Sequence, residues 1–320
     1  MSGVPFLGRS MLLRTRNILL SLAVVLVGAS LMAADPAKAP TGGVKPSQGI
    51  CAKKPRRGNL YVQLTIAGVG RTAVVHVPKK AQTGQSLPVV LAFHGSGGTG
   101  DFMASYSGLA ALSDQQNFVA VFPSAARPGR RWVLANEDKG GPADIDFVEQ
   151  LIDKVEALTC VNAERIYATG VSNGGGMAAR VGCELSSRIA AIAPVAGGYS
   201  SLDACRPQHR VSVLEIHGTA DKVVPYKGKP PDGRGSVPGF LALWRHIDSC
   251  TGNPAQRRYG PATEQYTWSS CADGTQVEHL KIYGGGHAWP GARPADAAWT
   301  APISAASAVW SFLRGHSLTP

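Results

Sequence analysis

The chain has 320 residues, 44% of them hydrophobic, and a formal net charge of +11 at pH 7. This length and apolar content are sufficient to bury a large core, so they exclude a disordered chain and favour a single large domain. The basic charge would suit an anionic wall polymer or an acidic polysaccharide as a partner, although stretches rich in lysine and arginine are usually only solvated. Aromatic interleaving and recognisable nucleic-acid-binding motifs are absent, so nucleic acid is not an expected partner.

Residues 1–34 have the order of a secretory signal peptide, because three arginines precede a long apolar run that ends in small residues. An uncleaved membrane anchor is the alternative, since the cleavage pattern is poor. Residues 35–57 are rich in proline, glycine and lysine and are predicted to be a flexible linker. The folded domain is therefore expected to span residues 58–320.

Six cysteines follow the leader, and none has the Cys-x-x-Cys spacing of a metal site. In an exported protein an even number of cysteines indicates disulfides. Six cysteines allow 15 pairings, so the connectivity is open, but proximity suggests Cys183 with Cys205 and Cys250 with Cys271. Buried free thiols are the alternative if the leader is not a signal peptide.

Apolar and β-branched runs predict eight strands, in chain order 60–66, 71–77, 88–93, 118–122, 165–169, 190–195, 211–216 and 277–282. Helical patterns lie at about 102–116 and 143–158, directly after Ser172, around Trp244, and at 303–313. The first two strands form a hairpin. The later strands alternate with helices, which predicts an α/β fold with a mostly parallel eight-stranded sheet flanked by helices on both faces.

The fifth strand ends at the pentapeptide Gly170-Val171-Ser172-Asn173-Gly174 and leads into a run of small, helix-forming residues. The Gly-x-Ser-x-Gly pattern alone is weak, since chance supplies it readily in a glycine-rich chain. The strand before it and the helix after it predict a nucleophile elbow with Ser172 at the apex. The alternative is a glycine-rich turn carrying a surface serine.

Polar or glycine-rich motifs follow three other strands, at 94–98, 217–221 and 284–287. Ligands of parallel sheets bind at the carboxyl ends of the strands, so these motifs are expected to lie near Ser172. A serine nucleophile needs a base and an acid that orients the base. Asp221 and His287 supply them in the order serine, acid, histidine, as expected for this fold class. Asp203 and Asp248 are rival acids.

The same motifs predict donors for a developing oxyanion. The main-chain N–H of Asn173 lies at a helix start, and that of Ser96 lies in the glycine-rich loop after the third strand. Trp289 and Tyr226 lie two and five residues beyond His287 and Asp221, and they are candidate substrate-binding residues together with Trp132. For each of these aromatic residues the alternative is core packing.

Together these motifs resemble the polyhydroxybutyrate depolymerase and feruloyl esterase group of α/β-hydrolases. The resemblance rests on residues 94–98, 170–175, 193–197, 217–226 and 284–291. It implies an α/β-hydrolase fold, Ser172 as nucleophile, Asp221 as acid and His287 as base, with Ser96 and Asn173 at the oxyanion hole. It also implies secretion, no metal and no cofactor. Cys250 and Cys271 look like a disulfide pair of this group.

The function that follows from the resemblance is that of a secreted serine esterase acting through an acyl-enzyme. The expected substrates are feruloyl, aryl or acetyl esters on plant polysaccharide, and the alternative is a polyhydroxybutyrate depolymerase. Two lesser alternatives are a serine peptidase, which needs the same triad, and a non-catalytic wall-binding protein on a hydrolase scaffold. The expected partner is therefore the ester substrate, with no membrane contact beyond an uncleaved leader.

Overall fold

The computed structural model of the protein describes residues 53–126, 128–134, 142–199, 205–229, 235–292 and 303–318. The predicted leader and the greater part of the predicted linker lie outside the described residues. The end of that linker contacts the domain, because Lys53 Nζ donates to the Glu156 main-chain oxygen at 2.8 Å. Arg57 Nη2 likewise donates to the Ala81 oxygen at 2.8 Å. Residues 53–57 are thus held against the domain by side-chain to main-chain hydrogen bonds.

Ten strands of the described residues form one sheet. In chain order they are β1 (Gly58–Ile66), β2 (Val69–Val77), β3 (Leu87–Phe93), β4 (Val119–Pro123), β5 (Val161–Val171), β6 (Ala191–Val195), β7 (Ser212–Gly218), β8 (Ala255–Tyr259), β9 (Thr263–Trp268) and β10 (Val277–Ile282). Their order across the sheet is β1-β2-β4-β3-β5-β6-β7-β10-β9-β8. In this spatial order the six central strands, β4, β3, β5, β6, β7 and β10, are parallel to their neighbours within the group. An antiparallel hairpin extends the sheet at each edge.

The described helices are α1 (Gly100–Tyr106), α2 (Leu109–Gln116), α3 (Pro142–Leu158), α4 (Asn173–Glu184), α5 (Val237–Ile247) and α6 (Ala305–Leu313). They pack on both faces of the sheet. Alternate residues of β3 belong to two separate apolar clusters, one with α3, α4 and α5 and the other with α1, α2 and α6. Every residue of β3 is therefore buried, as expected of a central parallel strand.

The predicted α/β-hydrolase fold with a mostly parallel sheet is confirmed, but the predicted number of eight strands is wrong. The additional strands are β8 and β9, which form an antiparallel hairpin next to β10. The predicted helix at 102–116 is also two helices, since Gly108 has a φ of 75° between α1 and α2. A left-handed residue interrupts the helical hydrogen-bond pattern, and glycine adopts that conformation readily.

The strand registers bring the predicted motifs to one edge of the sheet. Phe93, the last residue of β3, pairs with Gly170 of β5, and Val171 pairs with Val195 of β6. Ile282 of β10 pairs with Gly218 of β7. The loops that follow these adjacent strands therefore emerge together, which positions the candidate site.

Candidate active site

Ser172 alone forms the turn between β5 and α4. Its backbone has a φ of 59° and a ψ of −123°. A positive φ is uncommon for a residue with a Cβ, and such strain occurs preferentially at functional sites. The predicted strand, sharp turn and helix are therefore present, and Ser172 projects from the apex of a strained turn.

The two glycines of the pentapeptide permit close contact between main-chain segments. A Cβ on Gly174 would overlap the carbonyl oxygens of Phe93 and His94 in β3 and the loop after it. A Cβ on Gly170 would lie 2.7 Å from the Phe93 oxygen and 2.6 Å from the Gly174 carbonyl carbon. Side chains at these positions would push α4 away from the sheet, so the glycines determine where the serine sits.

Asp221 and His287 lie in the loops after β7 and β10 and are hydrogen-bonded to each other. His287 Nδ1 donates to Asp221 Oδ2 at 2.7 Å, which leaves Nε2 as the free nitrogen of a neutral ring. The main-chain N–H groups of Val223 and Val224 both donate to Asp221 Oδ1 at 2.8 Å. The carboxylate is therefore oriented by donors on both of its oxygens.

The charge of Asp221 is also stabilised. Burial alone would raise the pKa of Asp221, but hydrogen bonds from His217, His287 and the Val224 N–H outweigh burial and hold the pKa well below its usual value. Asp221 is thus an anion across the neutral range. An anionic partner at Nδ1 fixes the tautomer of His287 and stabilises the imidazolium that would form when Nε2 accepts a proton.

Ser172 and His287 line the same surface cavity, which has a volume of about 710 Å³. The loop of residues 95–99 lies along the cavity beside the serine, because a Cβ on Gly95 would be 3.4 Å from the Ser172 Cβ. The cavity therefore brings together the candidate nucleophile, the candidate base and the glycine-rich loop.

Ser96 and Asn173, the predicted oxyanion-hole residues, flank Ser172 from two directions. Ser96 is exposed and lines the cavity. Asn173 is the first residue of α4, and the N–H groups in the first turn of a helix have no acceptor within it. The Asn173 side chain does not contribute to the cavity, since its amide binds both the N–H and the carbonyl of Trp132 at 2.7 and 3.0 Å.

The glycine-rich loop is held in place by His94 and by its own hydrogen bonds. His94 Nε2 accepts from the Ala125 N–H at 3.0 Å and Nδ1 lies 2.6 Å from the Gly95 oxygen, to which it donates. The Gly97 N–H donates to the Arg130 oxygen at 3.0 Å. Burial lowers the pKa of His94, in keeping with a neutral ring that orients a loop.

Three aromatic residues predicted to bind substrate are engaged elsewhere. Trp132 is 1% exposed, and its Nε1 donates to the His94 oxygen at 3.0 Å. Trp289 is also 1% exposed, and its Nε1 donates to the Ser107 oxygen at 3.0 Å. Both indoles are buried with their only donor satisfied, as the packing alternative expects, and neither lines the cavity that contains Ser172.

Tyr226 is partly buried and does not line the cavity that contains Ser172. Its hydroxyl lies 2.9 Å from His279 Nε2, and its ring packs edge-on against His217 at 6.0 Å between centroids. The structure therefore places Tyr226 over two histidines beside Asp221, instead of in the substrate cleft.

Part of the cavity wall is formed by residues that the sequence motifs did not single out. Phe102 and Tyr106 of α1 stack with their ring centroids 4.9 Å apart, and both line the cavity with Val223 and Arg130. Phe102 is 50% exposed and Val223 is 64% exposed, which is unusual for large apolar side chains. One signal was available, because Phe102 and Tyr106 lie four residues apart on the helix that follows the glycine-rich loop.

Both disulfides that proximity suggested are present, Cys183–Cys205 and Cys250–Cys271. The first joins the end of α4 to the segment before β7, and the second joins the end of α5 to the segment after β9. Throughout the described ranges, His, Cys, Asp and Glu side chains form no group of three that could hold a metal ion. Within the same ranges, all helices are too short or too polar to cross a membrane.

The parallel sheet, its helices on both faces and the serine elbow at the strand ends define an α/β-hydrolase. The acetyl xylan esterase structure from Aspergillus awamori has the same fold, with a TM-score of 0.56 and 15% identity. That match covers 74% of this chain and 96% of the other. The family model described as Esterase PHB depolymerase matches residues 72–230. Residues 72–230 thus belong to this esterase family.

Two relatives are esterases of fungi. Feruloyl esterase B of Piromyces equi is 32% identical over 238 residues, which are 68% of this chain and 42% of that protein. The bifunctional acetylxylan esterase/xylanase XynS20E of Neocallimastix patriciarum is 29% identical over 225 residues, which are 69% of this chain and 31% of that protein. The chain thus spans less than half the length of these two relatives.

Proposed function

We propose that the protein is a serine carboxylic-ester hydrolase with the triad Ser172, Asp221 and His287. The observation that carries this proposal is the strained backbone of Ser172 at the elbow, in a cavity that also contains a histidine oriented by a buried carboxylate. A surface serine in an ordinary turn would need neither the strain nor the oriented base. Membership of an esterase family supports the same function.

The proposed reaction proceeds through an acyl-enzyme. The oxygen of Ser172 attacks the ester carbonyl carbon while its proton passes to His287 Nε2, and the carbonyl oxygen becomes an oxyanion. The N–H groups of Ser96 and Asn173 stabilise that oxyanion. When the intermediate collapses, His287 gives the proton to the leaving alkoxide and an ester to Ser172 remains. Water, deprotonated by His287, then attacks this ester, and the carboxylic acid is released as Ser172 regains its proton.

The substrate class that we propose is a feruloyl or related aryl ester, or an acetyl ester, on plant polysaccharide. The stacked rings of Phe102 and Tyr106 offer an aromatic face to a planar acyl group, and the relatives include a feruloyl esterase and an acetylxylan esterase. The second candidate is a polyhydroxybutyrate depolymerase. It is favoured by the description of the family model.

We also propose that the protein is exported. Two disulfides of the described domain would persist in an oxidising compartment and are uncommon in the reducing cytosol. The leader-like residues 1–34 support the same destination. Sequencing the amino terminus of the mature protein tests this proposal, because a protein that retains residues 1–34 would contradict removal of a signal peptide.

The nucleophile is tested by hydrolysis of p-nitrophenyl acetate. The variant Ser172→Ala should lose activity by about 10³-fold or more, because it lacks the attacking oxygen. Ser307→Ala is the matched control, since Ser307 is an exposed serine on α6. Equal activity in wild type and Ser172→Ala would overturn the assignment of the nucleophile.

The substrate is tested by comparing wild-type turnover of methyl ferulate, amorphous polyhydroxybutyrate and a peptide anilide. Preference for methyl ferulate supports the aryl ester class, and preference for the polymer supports the second candidate. Preference for the anilide would indicate a peptidase. Failure to turn over any ester, p-nitrophenyl acetate included, would favour a non-catalytic wall-binding protein.

A further inference from the structure

A chain of titratable side chains leads from the core of the sheet to Asp221. Glu215 and His217 lie two residues apart on β7 and therefore on the same face of the strand, and they are 0% and 1% exposed. His217 Nδ1 lies 2.8 Å from Glu215 Oε1, and His217 Nε2 lies 3.3 Å from Asp221 Oδ2. A series of contacting side chains, Glu215, His217, Asp221 and His287, thus connects the buried strand to the cavity.

The hydrogen-bond partners of His217 determine its protons. Its Nε2 lies 2.9 Å from the carbonyl oxygen of Val224, which can only accept, so Nε2 carries a hydrogen that it shares with Asp221. Its Nδ1 faces the Glu215 carboxyl, so a proton lies between them as well. The Tyr199 hydroxyl donates to the same Glu215 oxygen at 3.0 Å, which favours an ionised carboxylate. His217 is therefore an imidazolium between two carboxylates.

The pKa shifts of His217 and Glu215 agree with an imidazolium at His217 and a carboxylate at Glu215. Burial would lower the pKa of His217, but the Glu215 carboxylate and the hydrogen bond to Asp221 outweigh it and raise the pKa to about 10. Burial would likewise raise the pKa of Glu215, but the charge and hydrogen bonds of His217 and His279 lower it to about 2. Opposite charges are expected to persist in a buried pair only when each one has such a partner.

The far side of Glu215 is closed by a second histidine. His279 Nδ1 lies 2.7 Å from Glu215 Oε2 and 3.2 Å from the main-chain oxygen of the same residue. His279 Nε2 lies 2.9 Å from the Tyr226 hydroxyl, which donates to it. Lys281 Nζ lies 5.6 Å from the Tyr226 ring, and Tyr266 stacks on His279 at 6.1 Å. Glu215 Oε2 therefore lies at ion-pair distance from His279, and Glu215 does not line the cavity that contains Ser172.

We propose that Glu215 and His217 are positioning residues of the esterase site, which place a buried positive charge beside Asp221 and thereby extend hydrolysis to lower pH. The reason is that a positive charge beside the triad disfavours the addition of a second positive charge there. This inference rests on the proposed roles of Ser172, Asp221 and His287.

The variant Glu215→Gln separates charge from shape. The amide has the same volume and donates from the Oε1 position to His217 Nδ1 and to the Tyr199 hydroxyl, while His217 becomes neutral and keeps its Nε2–H toward Asp221. We expect the acid limb of the kcat/KM profile for p-nitrophenyl acetate to move up by about 0.5–1 pH unit, because the charge beside His287 is lost. The plateau activity should change by less than about threefold, since the triad is intact.

Ser113→Ala is the control for a merely structural role. Ser113 is fully buried in α2 and its hydroxyl donates to the Phe118 oxygen, far from β7 in the sheet order. Ser113→Ala should lower the melting temperature and leave the acid limb of the kcat/KM profile unchanged. An unchanged acid limb in Glu215→Gln, with a fall in melting temperature like that of Ser113→Ala, would overturn the proposal.

A second measurement reads the charge of His217 in the wild-type protein, and a variant is used only to assign the signal. In wild-type protein with ¹⁵N-labelled histidine, the His217 ring should show both nitrogens protonated at pH 8, assigned by the loss of that signal in His217→Gln. A neutral His217 ring at pH 8 would overturn the proposal. Absence of esterase activity in the wild type would instead refute the proposed function, and the ring spectrum would still report the charge of His217.

Discussion

Phe102 and Tyr106 lie one helical turn apart on α1, and this spacing brings their rings together on the face that borders the cavity. Exposed aromatic pairs are costly to leave in water, so a site for a planar apolar group is the simplest reason for them. Phe102→Ala should raise KM for methyl ferulate by about three- to tenfold, the equivalent of about 1 kcal/mol of aromatic contact. KM for ethyl acetate should change by less than about twofold.

Steady-state kinetics on both esters test this prediction. Tyr61→Ala is the control, since Tyr61 is 75% exposed on the edge strand β1 and belongs to no wall of the cavity. An equal rise in KM for both esters would show that Phe102 shapes the loop and does not contact an aryl group.

At the scale of single residues, the sequence predicted which residues meet but not which way large side chains point. Asp221 and His287 were found by their positions after strands, because the carboxyl ends of parallel strands share one edge. Trp289 was a candidate only by its distance along the chain from His287, and its indole is turned into the core by a hydrogen bond to Ser107. Glu215 did carry a signal, as the one charged residue within the strand predicted at 211–216.

The elbow is an element whose geometry depends on main-chain contacts. A Cβ at Gly174 would overlap main-chain oxygens that cannot move without displacing β3. Gly174→Ala should therefore lower the free energy of unfolding by about 3 kcal/mol or more, as strong overpacking does. Guanidinium unfolding followed by circular dichroism measures the loss.

Gly198→Ala is the matched control for this element. Gly198 also lies beside the elbow, and its N–H donates to the Ser172 oxygen at 3.2 Å. A Cβ at that position would be 4.0 Å from the nearest atom, a Leu134 methyl group. The free energy of unfolding of Gly198→Ala should differ from that of the wild type by less than about 1 kcal/mol. Equal losses in the two variants would contradict the contact at Gly174 as the cause.

Elements with buried faces were predictable from the sequence, whereas the hairpin of β8 and β9 was not. The four residues Ala255 to Arg258 of β8 are exposed, so no alternation of apolar and polar residues marks the strand. It exists because β9 pairs with β10 and offers a free edge to β8. A strand formed by a neighbour's free edge leaves little pattern in its own sequence.

Asp248 affects the stability of the whole molecule through its burial. The residue is 0% exposed at the end of α5. Burial raises the pKa of Asp248 to about 7, against the lowering effects of the Val211 N–H and Arg210. A raised pKa means that the folded state binds the proton more tightly. The stability contributed by the neutral acid is therefore fully present below about pH 4 and is lost as the pH rises through 7.

Asp248→Asn should remove this dependence. We expect the variant to be more stable than wild type by roughly 2 kcal/mol at pH 8 and nearly equal to it at pH 4. Thermal unfolding at a series of pH values measures the difference. Asp153→Asn is the control, because the Asp153 carboxyl is largely exposed and pairs with Arg188 at 3.0 Å. A stability difference that is the same at pH 4 and pH 8 would contradict the raised pKa.

For the whole molecule, the class of fold followed from apolar runs that are buried on both faces and from their alternation with helices. The burial of all seven residues of β3 is the clearest case. The proposed charge state of His217 could not be predicted in this way, because it also depends on Val224 and Tyr199, which reach His217 and Glu215 only in the folded protein.

The positive φ of Ser172 lowers the stability of the fold at the residue whose hydroxyl supplies the proposed reactivity. A residue with a Cβ in such a conformation costs on the order of 1–3 kcal/mol, and glycine would relieve much of that cost while removing the hydroxyl. Selection for folding alone would thus drive this apex toward glycine, and only selection for chemistry would keep a serine there. The surplus stability that tolerates it must come from elsewhere, and the two disulfides and the large central sheet are the features able to supply it.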